Sequence, residues 1–285
     1  MLSESKNYTC VFADLDKTLL GADGHLTDAT RSAMEAAAGR GITIVPCSGR
    51  ALNSLPKELF DIPGVQYAVT SNGVAICNLT TRTVLESCTL PSDAATRLFA
   101  FIERHIANPD DIHYECFIKG QGYTAESYWH NPLTNGAPSY KKEYLQATRI
   151  PVPSIEEHIL AHASELDCFD VIAHPDLVAE LFPLLQEAFP ELYLTNSEQY
   201  LIEISRKDTG KHRGMERFCA LHDIPLSQVV AFGDGNNDVE MLKEAGLGIA
   251  VGNAGDTCKA AADVVLAETY DQDAVAHELC RLFNL

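Results

Sequence analysis

The feature that most constrains the fold is the end of the first apolar run, Val11-Phe12-Ala13-Asp14-Leu15-Asp16-Lys17-Thr18-Leu19-Leu20. The stretch from Tyr8 reads as a short buried strand, and it stops on two aspartates two residues apart. Carboxylates about 4 Å apart repel by about 4 kcal/mol at an effective dielectric near 20. A divalent cation removes that penalty, and Mg²⁺ favours oxygen ligands. An ordinary Asx turn, with Asp14 or Asp16 capping the strand, explains the same residues. The decapeptide alone leaves both readings open.

The pattern recurs along the chain. Thr27 reads as the N-cap of a helix from Asp28 to about Arg40, and the β-branched run Ile42–Val45 reads as a second strand. Strand, helix and strand suggest a right-handed βαβ unit in a parallel sheet. The second strand ends on Ser48-Gly49-Arg50, a hydroxyl, a glycine and a cation that suit an anion or form a plain turn. Tyr67–Thr70 is a third strand, and Asn72-Gly73 after it is a hairpin signal, so turn chemistry accounts for Asn72. Lys211 opens a helix, where the dipole disfavours a cation unless an anion answers it. Val229–Phe232 is another buried strand, and it ends on Gly233-Asp234-Gly235-Asn236-Asn237-Asp238.

Between these segments the character changes. Residues 85–195 read as a separate α+β unit: an amphipathic helix over Ser92–Ile106, a hairpin over 112–129, a Pro/Gly/Asn-rich loop over Asn131–Tyr140, then a helix at Ser154–His162. A strand at Phe169–Ala173 follows, then a helix over Asp176–Phe189 burying Leu177, Leu181, Leu184 and Leu185, and a strand at Glu191–Thr195. Tyr200–Ile204 reads as the return to the parallel core. In open α/β sheets ligands bind beyond the carboxyl ends of the strands. Gathering the polar tips there gives four carboxylates, a hydroxyl and a lysine, an inventory for a cation plus a phosphoryl group.

Taken in order, Asp14-Leu15-Asp16-Lys17-Thr18-Leu19, Ser48-Gly49-Arg50, Lys211 and Gly233-Asp234-Gly235-Asn236-Asn237-Asp238 resemble the four motifs of the haloacid dehalogenase superfamily. More narrowly, the chain resembles the Cof-type phosphatases with a C2 (type IIB) cap. The resemblance implies an α/β fold with a Rossmann-like parallel-sheet core (1–84 and 196–285) and an inserted α+β cap (85–195). It implies Asp14 as nucleophile and Asp16 as acid/base. Ser48 and Lys211 would hold phosphate oxygens, with Gly49, Arg50, Asn72 and Asn237 also on the phosphate or substrate. Mg²⁺ would be held by Asp14, the Asp16 carbonyl and Asp234, supported by Asn237 and Asp238. Lys17 and His212 stand where glycines are usual.

The expected activity is hydrolysis of small phosphomonoesters, such as sugar phosphates, through an aspartyl-phosphate. A sugar phosphomutase, a phosphoacceptor signalling domain and an inactive scaffold are the alternatives. Selectivity is expected from the cap, with Tyr114, Glu115, Lys119, Tyr123 and Tyr128 as candidate contacts. A net charge of −19 disfavours nucleic acid or an anionic membrane as partner. Nine dispersed cysteines without C-x-x-C spacing fit reduced thiols in the cytoplasm. A monomer or homodimer is expected.

Overall fold

The computed structural model describes residues 7–132 and 140–285. The polar start before Asn7, and the part of the Asn131–Tyr140 loop over 133–139, lie outside the described residues. In chain order the elements begin with β1 (Cys10–Ala13), α1 (Asp28–Gly39), β2 (Thr43–Pro46), β3 (Tyr67–Thr70), β4 (Ala75–Asn78) and β5 (Thr83–Ser87). Then come α2 (Ala94–His105), β6 (Ile112–Ile118), β7 (Gln121–Ala125), α3 (Glu126–His130), α4 (Tyr140–Thr148), β8 (Arg149–Val152), α5 (Ile155–Ala161) and β9 (Leu166–Ala173). After α6 (Pro175–Ala188), β10 (Leu192–Thr195) and β11 (Leu201–Arg206) follow α7 (Lys211–Leu221), β12 (Val229–Gly233) and α8 (Val239–Glu244). The chain finishes with β13 (Leu247–Ala250), α9 (Asp256–Ala261), β14 (Val264–Val265) and α10 (Ala274–Phe283). None of these helices is long and apolar enough to cross a membrane.

The chain divides into two compact units, one running to Gly49 and including Leu55–Leu85 and Gly210–Leu285, the other Arg50–Ser54 with Glu86–Thr209. This corrects two expectations. The return to the first unit comes at Gly210, not after residue 195, because β11 pairs antiparallel with β10 and β9. A five-residue segment behind β2 also groups with the second unit.

The first unit is built on a parallel sheet in the order β14-β13-β12-β1-β2. β3 joins beyond β2 through a parallel bridge, Cys47 to Val69. Cys10 and Phe12 point to one face, where they pack with Met215 and Phe218 of α7, Leu242 of α8 and Cys258 of α9. Alternation along the strand leaves Val11 and Ala13 for the other face. The chain runs from β1 to β2 on one side and arrives at β12 on the other, so strand order switches between β1 and β12. The crevice beyond their carboxyl ends is where such sheets bind ligands.

The second unit is a six-stranded sheet in the order β10-β11-β9-β6-β7-β8, antiparallel except for β7 and β8. One face carries Cys116, Phe169, Val171, Ile202 and Ile204 against α2, α5 and α6. The pleat puts Tyr114 and Tyr123 on this helix-covered side, so they build the unit's own core. Leu181 and Leu185 of α6 are buried as expected, whereas Leu184 is 40% exposed. Tyr128 lies in α3 rather than in the hairpin and packs with Leu145 and Ile172. Lys119 sits exposed at the hairpin turn, paired with Glu165 at 2.9 Å.

Candidate active site

Asp14 follows β1, and its amide donates to the Phe232 carbonyl at 3.1 Å, tying it to the end of β12. The loop after it is fixed by its apolar residues: Leu15, Leu19 and Leu20 are buried, while Asp16 and Lys17 are exposed at the tip. Lys17 adopts φ 61°. That is the left-handed region that glycine enters without strain, and it is the position where the motif usually has glycine. Asn253, just past β13, holds this conformation by donating to the Lys17 carbonyl at 2.9 Å. Thr18 Oγ1 donates to Asp234 Oδ1 at 3.1 Å and joins the first loop to the one after β12.

Lys211 is the first residue of α7 and is fully buried. Its Nζ donates to Asp14 Oδ1 at 2.5 Å and to Asp238 Oδ1 at 2.7 Å. The helix start is docked on the β3–β4 turn. Gly210 donates its amide to the Asn72 carbonyl at 2.9 Å, and Arg217 donates to the Gly73 carbonyl. Gly73 has φ 85°, and a Cβ there would stand 1.9 Å from the Gly210 carbonyl oxygen. No other residue lets the two backbones approach so closely, so the hairpin glycine sets the place of the lysine.

Asp238 is completely buried and spends both oxygens on this chain. Oδ1 accepts from Lys211, and Oδ2 accepts the amides of Asp234 at 3.0 Å and Gly235 at 2.9 Å. A Cβ on Gly233 would come within 2.5 Å of the Asp238 Cγ, so the strand must end on glycine for this clamp to form. Asp14, Asp234 and Asp238 offer ligand oxygens all within 4.8 Å of one another. No described residue donates to Oδ2 of Asp14 or of Asp234, which leaves those two carboxylates for a cation. The Asp16 carboxylate is outside this trio.

The electrostatics favour a cation too. Burial pushes the Asp14 carboxyl well above its usual range; Lys211 opposes this, and Asp238, Asp234 and Asp16 add to it. Asp234 is pushed up to about 6 by burial and Asp238, against the pull of Lys211, Thr18 and Lys17. Burial alone would lower the Lys211 ammonium, yet Asp14 and Asp238 outweigh it and hold the group well above its ordinary value. A hard divalent ion answers such an excess of carboxylate charge, and the donor set is all oxygen. The residues therefore fit Mg²⁺.

The other expected residues separate into two groups. Ser48 is buried at the end of β2, where its amide donates to Val69 and its carbonyl accepts from the Asn72 amide at 3.0 Å. Asn72 has the left-handed φ of its turn, and its Oδ1 also accepts from Asn237 Nδ2 at 2.9 Å. Turn chemistry and a site contact thus coexist at one residue. Gly49 closes its segment of the first unit, and Arg50 belongs to the second, where its guanidinium lies over the Tyr144 ring at 4.7 Å. Sequence reasoning passed over Thr18 and Asn253. Asn253 was legible as one more polar residue beyond a strand end.

Residues 11–279 match the family model for haloacid dehalogenase-like hydrolases. The 5-amino-6-(5-phospho-D-ribitylamino)uracil phosphatase YcsE of Bacillus subtilis is 25% identical over 273 residues, covering 96% of this chain and 95% of that one. A haloacid dehalogenase-like hydrolase from B. subtilis superposes with a TM-score of 0.81 at 24% identity, covering 95% of this chain and 98% of that one. A sugar phosphatase of subclass IIB superposes with a TM-score of 0.77 at 23% identity, covering 97% and 99%.

Proposed function

Since the chain belongs to the haloacid dehalogenase-like hydrolases of the Cof type, we propose that this phosphatase hydrolyses small phosphomonoesters with Mg²⁺, by way of a phosphoryl group carried on Asp14. The observation that supports this most is the buried Lys211 held between Asp14 and Asp238, beside an Asp234 carboxylate with an oxygen to spare. The relative acting on a phosphorylated ribityl compound makes a small hydroxylated phosphate ester a natural substrate class.

In the first step an Asp14 oxygen attacks phosphorus, the bond to the ester oxygen breaks, and Asp16 gives its proton to the departing alkoxide. A carboxylate nucleophile divides one hard displacement into two easier ones. In the second step Asp16 takes a proton from water, the water oxygen attacks the same phosphorus, and Asp14 is released with inorganic phosphate. Exposure of Asp16 at a loop tip suits a group that exchanges protons with leaving group and water. Lys211 neutralises charge on Asp14 and the transferring oxygens, and the Ser48 hydroxyl donates to phosphate. Asp14, the Asp16 carbonyl and Asp234 would hold Mg²⁺, which supplies further charge neutralisation. Asp238 has both oxygens engaged, so its task is to position Lys211 and the loop after β12 rather than to bind the ion directly.

The test is release of inorganic phosphate from p-nitrophenyl phosphate with Mg²⁺, with EDTA, and by Asp14→Asn. Activity should require the metal and vanish in the variant. A variant retaining more than a few per cent of the rate would remove Asp14 as nucleophile. Transfer of the phosphoryl group back to a sugar, instead of to water, would mark a mutase.

A further inference from the structure

Asp16 and Lys17 form the exposed tip of the loop after β1, and Lys17 holds φ 61° and ψ 15° there. A residue with a Cβ loses free energy in that left-handed conformation, and it persists only where its surroundings over-determine it. Asn253 supplies such a restraint with both ends of its amide. Its Nδ2 donates to the Lys17 carbonyl at 2.9 Å, and its Oδ1 accepts the Tyr270 amide at 3.0 Å. The two partners fix which end is which: a carbonyl only accepts and a backbone amide only donates, so the nitrogen faces Lys17.

The turn that carries Asn253 is itself bonded to its neighbours. Gly255 donates its amide to the Asp234 carbonyl at 3.0 Å, Gly252 donates to the Glu268 carbonyl at 2.8 Å, and Ala254 donates to the Val251 carbonyl at 3.0 Å. A Cβ on Gly252 would stand 2.7 Å from the Glu268 carbonyl oxygen, so the turn lies directly against the segment before α10. Tyr270 opens a 3₁₀ turn there, capped by Thr269 and Gln272. Asn253 therefore reaches the first loop from a frame made by the end of β13, the loop after β12 and the segment before α10. Thr18, the next residue after Lys17, is bonded to Asp234 Oδ1 at 3.1 Å. The chain on the far side of Asp16 is held at two successive residues, and every residue of this arrangement belongs to the first unit.

We propose that Asn253 is the positioning residue for Asp16: by fixing the Lys17 carbonyl it keeps the tip in its left-handed turn, and so keeps the Asp16 carboxyl where it gives its proton to the leaving group. The inference rests on the phosphatase reading above. Asn253→Asp is nearly isosteric and keeps the oxygen that accepts from Tyr270, but it sets an acceptor against the Lys17 carbonyl. Two measurements on the full-length protein test it. The first compares kcat/KM, at saturating Mg²⁺, on phenyl phosphate and p-nitrophenyl phosphate, two esters of similar shape. This constant reports the steps up to departure of the leaving group, and phenolate, the more basic of the two, depends more on a general acid. The ratio of phenyl to p-nitrophenyl should fall about tenfold in Asn253→Asp, as expected for loss of one hydrogen bond. Lys17→Gly, which enters the left-handed region without strain, should restore most of the ratio in the double variant. The second measurement is trypsin cleavage of the native protein, which reads local opening. Cleavage after Lys17 breaks the peptide whose carbonyl Asn253 holds, and it should speed about tenfold in Asn253→Asp, while cleavage after the exposed Lys119 stays unchanged. An unchanged ester ratio, a fall that Lys17→Gly does not restore, or cleavage that gains no more after Lys17 than after Lys119 would each overturn the inference alone. Absence of phosphate release from either ester by the wild type would overturn the phosphatase reading and the inference with it.

Discussion

At the scale of single residues, Lys211 does two jobs with one charge. It is fully buried between two carboxylates, and removing one partner of a buried pair costs about 3–5 kcal/mol. Loss of one preorganised charge-stabilising donor costs about 10²–10³ in kcat. Lys211→Ala should therefore lower both turnover and thermal stability by these amounts. Lys207→Ala should change neither, since its ammonium is exposed and meets the Pro190 carbonyl at 2.7 Å at the surface. Reversed sensitivities would transfer the role to Lys207. Lys17 is a different case, a non-glycine residue held at φ 61°. Strain of this kind costs about 1–3 kcal/mol. Lys17→Gly should raise stability by up to about 1 kcal/mol after the loss in unfolded-state entropy, and Lys17→Val should lower it. Denaturant midpoints of the two variants moving in the same direction would show that backbone conformation does not set the effect.

At the scale of elements, Asp170, a buried carboxyl on β9 of the second unit, leaves a signature in stability. Asp170 holds its proton in the folded protein well above the pH at which the unfolded chain loses it. A carboxyl raised in this way favours the folded state below the unfolded value of about 4, and that contribution is lost as pH climbs toward the folded value. Asp170→Asn cannot ionise, so its gain in melting temperature over wild type should be larger at pH 7.5 than at pH 4.5. An equal gain at both values would remove the charge explanation. The same unit shows where sequence reading stops. Its strands and most helices were legible from period: the helix read at Ser154–His162 is α5, capped by the Ser154 side chain. β8 was not, because Pro151 argues against a central strand; the strand lies at the sheet edge, where proline is tolerated. Tyr200–Ile204 carried the right conformation and the wrong sheet, because local sequence encodes extension and only long-range pairing chooses the partner. Of the candidate site, Asp14 and Asp234 were legible from their places beyond strand ends, and Lys211 from its place at a helix N-terminus. The double engagement of Asp238 and the placement of Arg50 over Tyr144 depend on side-chain directions that spacing does not encode.

At the scale of the whole molecule, the charge of −19 opposes the approach of a phosphate ester that is itself an anion. The Debye length shrinks from about 30 Å at 0.01 M salt to about 10 Å at 0.1 M. KM for a phosphomonoester at fixed Mg²⁺ should therefore fall as sodium chloride is raised through this range, with kcat little changed. A rising KM would mean that local positive charge at the site dominates the field of the whole chain. The four crossings between the units, at residues 49/50, 54/55, 85/86 and 209/210, have a further consequence for the chain during its synthesis. All of the second unit has been made once Thr209 is added, whereas β1 waits for β12, with Cys10 paired to Val229. A growing chain thus carries a finished insert and an open parallel sheet at the same time. The β1 edge that will meet β12 is the surface most in need of protection from other chains until the last quarter of the protein leaves the ribosome.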